Sequence, residues 1–293
     1  MANEKEKKLH YRHNGVTNAI CYIVLILISI VWLFPFVCIV LQSFRSFDTE
    51  GGGMVTYLLP KQFSLDNYAW LFFDKKSQFG RWYLNTVIIA VFVSLITTLV
   101  VVAVAFALSR MRFKLRRPLM NTWLILGMFP GFLTMICLYF LLKLFGLTQE
   151  GAVPGLILIS VASSGMGYYV CKGYFDTIPK SLDEAARIDG ATNAQIMFNV
   201  IVPLSKPIIV YQALTAFLAP WNDFIFASYV AFGKSDSYNV AVSMQRWVTT
   251  NDYQGYFTRF CAGGVLVAVP VTLLFMALQK YYVAGVTGGA VKG

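Results

Sequence analysis

The residue most able to do chemistry is an acid inside an apolar run. Asp223 stands in Pro220-Trp-Asn-Asp-Phe224, between Ile208 and Phe232. An ionisable group at membrane depth is a functional candidate, because hydrocarbon tolerates it only where it is paired or lines a polar path. Asp223 could couple a proton or a sodium ion, line a path together with Asn222, or hydrogen-bond neighbouring helices. Tyr211, Gln212 and Trp221 occupy the same run and complete a candidate lining for a polar path. Other chemistries find little support. The two histidines, His10 and His13, lie in a polar N-terminal stretch, and no paired carboxylates occur in the apolar segments, which argues against a membrane-embedded enzyme. No GxxxxGK[ST] phosphate loop is present, so the chain does not hydrolyse ATP by that device. The five cysteines, Cys21, Cys38, Cys137, Cys171 and Cys261, form no CxxC pair and read as small hydrophobes, with no metal site.

A second constellation lies in a polar segment, Thr177 to Pro203. Ser181 and Glu184 have capping-box spacing just after Pro179, which predicts a helix over 182–189 stopped by Gly190. Thr192 and Gln195 repeat the spacing and open a second helix limited by Pro203. In the first helix Leu182, Ala185, Ala186 and Asp189 lie near one face. The alanine pair would make that face flat enough for another protein to approach.

These residues must be held by membrane helices. Of 293 residues, 57% are hydrophobic and 13% charged, with a mean hydropathy of +0.62. A soluble protein carries about a quarter charged residues, so lipid is the main solvent. A crossing needs about 20 apolar residues, and six segments qualify: 19–41, 87–108, 120–145, 153–171, 208–232 and 262–283. The third is interrupted by Pro130-Gly131, and the sixth contains Pro270. The fourth is rich in Gly, Ala and Ser, which favours close helix packing inside the bundle. The first is too long for a signal-peptide core and lacks a cleavage site, so it is expected to stay as an anchor.

The loop 109–119 holds Arg110, Arg112, Lys114, Arg116 and Arg117 with no acid, and should face the cytoplasm. Both termini and the loop 172–207 then lie on the same side, with fifteen of the 24 lysines and arginines. The net charge of +10 reflects this asymmetry and does not point to nucleic acid. Residues 1–18 form an N-terminal tail, 42–84 an exposed extracytoplasmic cap with little core of its own, 85–284 the membrane core, and 285–293 a C-terminal tail.

Glu184-Ala185-Ala186, Gly190 and Ile201-Val202-Pro203 together resemble the EAA loop of permease subunits in binding-protein-dependent ABC importers. Phe63-Ser-Leu-Asp-Asn-Tyr-Ala-Trp-Leu-Phe72, Asn85-Thr86, Ala105-Phe-Ala-Leu-Ser-Arg110 and Pro220-Trp-Asn-Asp-Phe224 are similar to segments of the carbohydrate branch. The tail Gly288-Gly-Ala-Val-Lys-Gly293 resembles that of the smaller permease subunit of maltose and maltodextrin importers, with Ala290 as an added residue.

The resemblance implies an all-α polytopic fold of the type I importer class. It implies a non-catalytic subunit of a bacterial cell membrane that forms half of a sugar pathway, for malto-oligosaccharides or another oligosaccharide. A second, non-identical permease, two ATPase subunits and an extracytoplasmic sugar-binding protein are the implied partners. No cofactor is implied for this chain, since ATP and Mg would be used by the ATPase. Glu184, Ala185, Ala186, Asp189, Gly190 and Ala191 would couple to the ATPase, and Gly288, Gly289 and Lys292 would contact it from the tail. The alternative is an ion-coupled secondary transporter using Asp223, although such proteins often carry internal repeats and none is evident here.

Overall fold

The computed structural model describes residues 15–54, 57–249 and 253–290, so His10, His13 and Lys292 lie outside the described residues. The described residues are helical, apart from short connections and one isolated antiparallel bridge between Arg45 and Phe63. Among the described residues three helical stretches are individually long and apolar enough to cross a membrane: Thr17–Ser43 of α1 (Gly15–Ser43), Phe79–Arg110, and Gly255–Tyr281 of the last helix. The short α2 (Asp66–Phe73) precedes α3 (Phe79–Arg110). At 1.5 Å per residue the 32 residues of α3 reach about 48 Å, well beyond a hydrocarbon core of about 30 Å. α3 is central and packs against four later helices.

The other crossings are broken. α4 (Arg116–Gly127) and α5 (Gly131–Leu144) meet at 106°, far more than a proline kink in a continuous span. Pro130 explains the break: it is extended, at φ −56° and ψ 127°, and caps the start of α5. α6 (Ala152–Ala162) and α7 (Gly165–Asp176) are bent by 41° at Ser163-Ser164, where the sequence predicted one helix. A Cβ on Gly155 would stand 2.2 Å from the carbonyl oxygen of Leu147, so the small residue at that position permits close backbone approach.

The polar segment forms α8 (Lys180–Ile188) and α9 (Asn193–Ile196), followed by a π-helical turn over Met197–Ile201. Pro203, which has no N–H to give the preceding turn, follows in the helical turn Val202–Leu204. The chain then turns by 85° into α10 (Lys206–Asn222). The expected continuation of this crossing to Phe232 does not occur. The helix ends at Asn222, Asp223 adopts ψ 91°, and a separate α11 (Ile225–Val230) follows. Asp223 Oδ1 accepts the backbone N–H groups of Phe226 (3.2 Å) and Ala227 (3.4 Å), satisfying the opening of α11. α12 (Val240–Thr249) and α13 (Tyr253–Ala290) complete the chain, the latter running through Pro270 and carrying the backbone of Gly288 and Gly289 as helix.

The 42–84 segment, expected to be an exposed cap with little core of its own, holds buried polar and apolar residues. Arg45 is fully buried and donates to Gln42 Oε1 (3.1 Å) and to the carbonyls of Gly51 (2.9 Å) and Gly53. Asn67, also buried, donates to the carbonyls of Ser43 and Arg45 and accepts the hydroxyl of Thr258 on α13. A Cβ on Gly52 would lie 2.5 Å from the Gly255 carbonyl oxygen, so the glycine run is what lets this segment seat on α13. Leu71 and Phe79 join Trp221, Trp247 and Ala262 in an apolar cluster beneath it.

Candidate functional site

The end of the bundle that carries Arg110 holds an apolar core under the polar segment. Val101, Ala105 and Phe106 of α3, Cys171 and Phe175 of α7, and Ile178, Ile196 and Ile201 are all buried there. α8 and α9 are therefore packed onto the membrane helices, with the helix α8 turned partly outward.

The local folding of α8 follows from its ends. Pro179, at φ −57° and ψ 131°, is the N-cap, and the helix begins at Lys180. The expected Ser181–Glu184 capping box does not form, because Ser181 is already inside the first turn and makes no cap bond. At the other end Gly190 has φ +84°, with Gly190 N–H bonded to Arg187 O (3.0 Å) and Ala191 N–H to Ala186 O (2.9 Å). This is the paired bonding of a Schellman motif, whose usual apolar contact joins the residues at these two positions. Ala186 and Ala191 supply it, both packed on the buried core. The second predicted box is present: Thr192 N–H donates to Gln195 Oε1 (2.8 Å), and Gln195 N–H to Thr192 Oγ1 (3.3 Å).

The alanine pair is therefore split. Ala186 turns toward the core, while Ala185, Glu184 and Asp189 are exposed with Leu182. The most exposed large apolar side chain of α8 is Ile188, at 87% exposure. Leu182, Ala185 and Ile188 succeed one another at intervals of three and form an apolar strip on the free side of α8.

Beneath the strip lies a charge network. Arg110 Nε is 2.6 Å from Asp183 Oδ2, and the two side chains are only 2% and 8% exposed. The same guanidinium donates to the Ile178 carbonyl (3.0 Å) and to Ser109 Oγ (3.2 Å). Ser109 in turn donates to Asp176 Oδ1 (2.6 Å), whose other oxygen is paired with Lys172. The end of α3, the end of α7 and α8 are thus tied through one arginine. A cleft of about 450 Å³ opens beside it, lined by Arg112, Arg116, Lys180 and Arg187 as well as Asp183 and Glu184.

The candidate path residues fall into different places. Tyr211 and Gln212 line one groove, of about 380 Å³, between α3, α10 and the α6–α7 break. Asp223 lines an adjoining cavity of about 150 Å³ with Asn239. Trp221 lines neither space: it is 5% exposed and packed against Tyr83 and Phe217 in the aromatic cluster. Asn222 is exposed and lines neither space.

Residues 99–288 match the family described as binding-protein-dependent transport system inner membrane component. The chain belongs to that family. The permease is 35% identical over 275 residues to the galactooligosaccharides transport system permease protein GanQ of Bacillus subtilis, covering 93% of this chain and 94% of that one. It is 32% identical to the maltodextrin permease MalD of Streptococcus pneumoniae (95% and 96% covered) and 31% identical to the maltose/maltodextrin permease MalG of Escherichia coli (94% and 95%). A chain of the crystal structure of a bacterial ABC transporter that imports the acidic polysaccharide alginate superposes with a TM-score of 0.75 over 92% of this chain and 98% of that one, at 24% identity, and shares the fold. Family membership makes this a non-catalytic, multi-pass membrane subunit of an ABC transport system, and leaves the ion-coupled alternative without support.

The network of Arg110, Asp183, Ser109, Asp176 and Lys172 is not legible as a site in the sequence, because apart from the i,i+4 pair Lys172–Asp176 its linking contacts cross between elements. The signal for Arg110 was present, since it closes a motif at the end of the second apolar segment. Nothing local to Asp183 distinguishes it from the acids around it.

Proposed function

We propose that this permease is one of two different membrane subunits of a bacterial oligosaccharide importer, driven by ATP hydrolysis in separate ATPase subunits. The observation that carries the reading is the outward apolar strip of α8, clamped to the membrane helices by the Arg110–Asp183 pair, in a member of a binding-protein-dependent transport family. A short helix that is rigid with the bundle yet presents Leu182, Ala185 and Ile188 suits seating in a cleft of a moving partner. Glu184, Asp189, Gly190 and Ala191 fix its charge and its stop, and Gly288, Gly289 and Lys292 are assigned a second contact with the ATPase. The names of the most similar relatives point to malto- or galacto-oligosaccharides as cargo, delivered by an extracytoplasmic binding protein.

Uptake of maltotriose and β-1,4-galactotriose by proteoliposomes holding the complete importer tests this. At least one should enter only with ATP inside and binding protein outside, unaffected by ionophores. Uptake that follows an ion gradient without ATP would overturn the reading.

The same reading places Arg110 and both termini in the cytoplasm. A cysteine at Lys114 should be labelled by an impermeant thiol reagent only after the inner face is opened, and one at Lys75 from outside. Both positions are exposed, whereas Gly52 is too closely packed to carry a probe. Reversed labelling would place α8 on the wrong side for an ATPase.

A further inference from the structure

The groove between α3, α10 and the α6–α7 break has a composition that lipid contact does not explain. Thr97, Ser160, Ser163, Ser164, Gln212 and Thr215 face it. Thr97 lies about 20 Å along α3 from Arg110 at the helical rise, well inside the membrane. Polar side chains at such depth face protein or a water-filled space. One of these hydroxyls, that of Thr97, is buried without a partner among the described residues. Thr97 is 4% exposed and its hydroxyl has no hydrogen bond among the described residues. Gln212 is 8% exposed, and no hydrogen bond is formed by its carboxamide among the described residues.

An unmet buried donor or acceptor is costly, so the Thr97 hydroxyl calls for a hydrogen-bonding occupant, and the Gln212 carboxamide lines the same groove within reach of one. Space for the carboxamide is reserved: a Cβ on Gly167 would stand 2.8 Å from Gln212 Oε1 and 3.2 Å from Val101. The bend at Ser163-Ser164 opens the same wall, and Ser164 Oγ is already spent on the carbonyls of Ser160 and Val161. The groove adjoins the smaller cavity through Ser160 and Ala219, which line both.

Among the described residues no charged side chain lines the groove, and the single ionisable group lining the adjoining cavity is an acid, Asp223. With no cation to receive a carboxylate and an acid at one end, the track suits an uncharged, hydroxyl-rich ligand. We propose that Thr97 and Gln212 form a hydroxyl-recognition subsite in this subunit for a neutral sugar residue in transit, and that the track discriminates against uronate-bearing oligosaccharides. The carboxamide both donates and accepts, and the threonine hydroxyl does the same, as vicinal sugar hydroxyls require. The inference rests on the oligosaccharide-importer reading and adds to it the place of contact and the charge of the cargo.

The test uses the complete importer with its ATPase and binding protein, trapped with ATP and vanadate. Labelling of a Thr215→Cys variant, at an exposed position on the same groove, by a small thiol reagent is read by mass spectrometry of that peptide. The probes are maltotriose, β-1,4-galactotriose and trigalacturonate. The neutral trisaccharide that the parent imports should slow labelling at least tenfold, and trigalacturonate should not. In proteoliposomes Thr97→Val/Gln212→Leu should import at least tenfold more slowly while assembling normally and keeping the ATP hydrolysis stimulated by loaded binding protein. No protection by the imported neutral sugar, equal protection by trigalacturonate, or parental import by the double variant would each overturn the subsite. Failure of the importer reading looks different, as ATP-independent uptake or none of any probe by the parent, and it would take the subsite with it.

Discussion

Asp183→Ala should destabilise the assembled permease by about 3–5 kcal/mol, because it strands the Arg110 guanidinium in a buried site. The loss is read as a fall in intact complex recovered in detergent and in its thermal midpoint, and uptake should fall with it. Asp183→Asn should be milder, since an amide oxygen can still accept from Arg110. The informative variant is the double replacement Arg110→Met/Asp183→Leu. Apolar substitutes for a buried ion pair are often neutral or stabilising, so the complex should recover. Transport should recover as well if the pair acts only by holding α8 to α3. Restored stability without restored transport would mean that the charges themselves take part in coupling. The Ile178 carbonyl loses its guanidinium donor in the double variant, which sets the scale of any residual defect.

This pair also marks where the sequence stopped being legible. Features set by a few neighbouring residues could be read directly: the left-handed stop at Gly190, the Thr192–Gln195 box, the interruption at Pro130. Ser181–Glu184 carried the same spacing and failed. Pro179 in extended conformation opens the helix two residues earlier than the box needs, and spacing alone does not fix which residue is the cap. The number of apolar runs was evident from hydropathy, but the breaks at Ser163-Ser164 and Asp223 were not. At Asp223 a side chain takes the N–H groups of the following turn, whereas Ser164 donates back to the carbonyls of Ser160 and Val161, and spacing announces neither. The partner of Arg110 was hidden for a related reason: Asp183 sits in another helix, and only packing of Ile178, Ile196 and Phe175 on α3 brings it within reach. Spacing places Ala185 and Ala186 near one face without showing which of them the core takes, and so does not single out Ile188. Helical phase, fixed by Asp183 facing inward, decides that Ala186 is turned to the core and Ile188 away from it.

Ile188→Asp should therefore weaken association of the permease with its ATPase, while membrane insertion and recovery of the chain stay at parental level. Fully burying an isoleucine stabilises by roughly 1.5–3 kcal/mol, which corresponds to about ten- to a hundredfold in affinity. The carboxylate adds a desolvation cost in the same direction. Gly190→Val acts through the backbone instead. A Cβ there meets nothing within 4 Å, so no clash is created, but φ of +84° is strained for any residue with a side chain. The left-handed region costs roughly 1–2 kcal/mol for an L-residue, and a β-branched side chain is among the least tolerant. Gly190→Asn should retain most activity, because asparagine accepts that conformation more readily. Ala186→Leu should behave as a packing variant, lowering stability by about 1–3 kcal/mol through overfilling the core beneath α8. The measurements are ATPase retained on the purified permease, and sugar-stimulated hydrolysis and uptake in liposomes. Loss of ATPase with Ile188→Asp, but not with exposed polar changes such as Asn193→Ser on the neighbouring α9, places the contact on the free strip of α8. If Ile188→Asp binds its ATPase and transports like the parent, the contact lies elsewhere, and the basic cleft beside Arg112 and Lys180 becomes the surface to test.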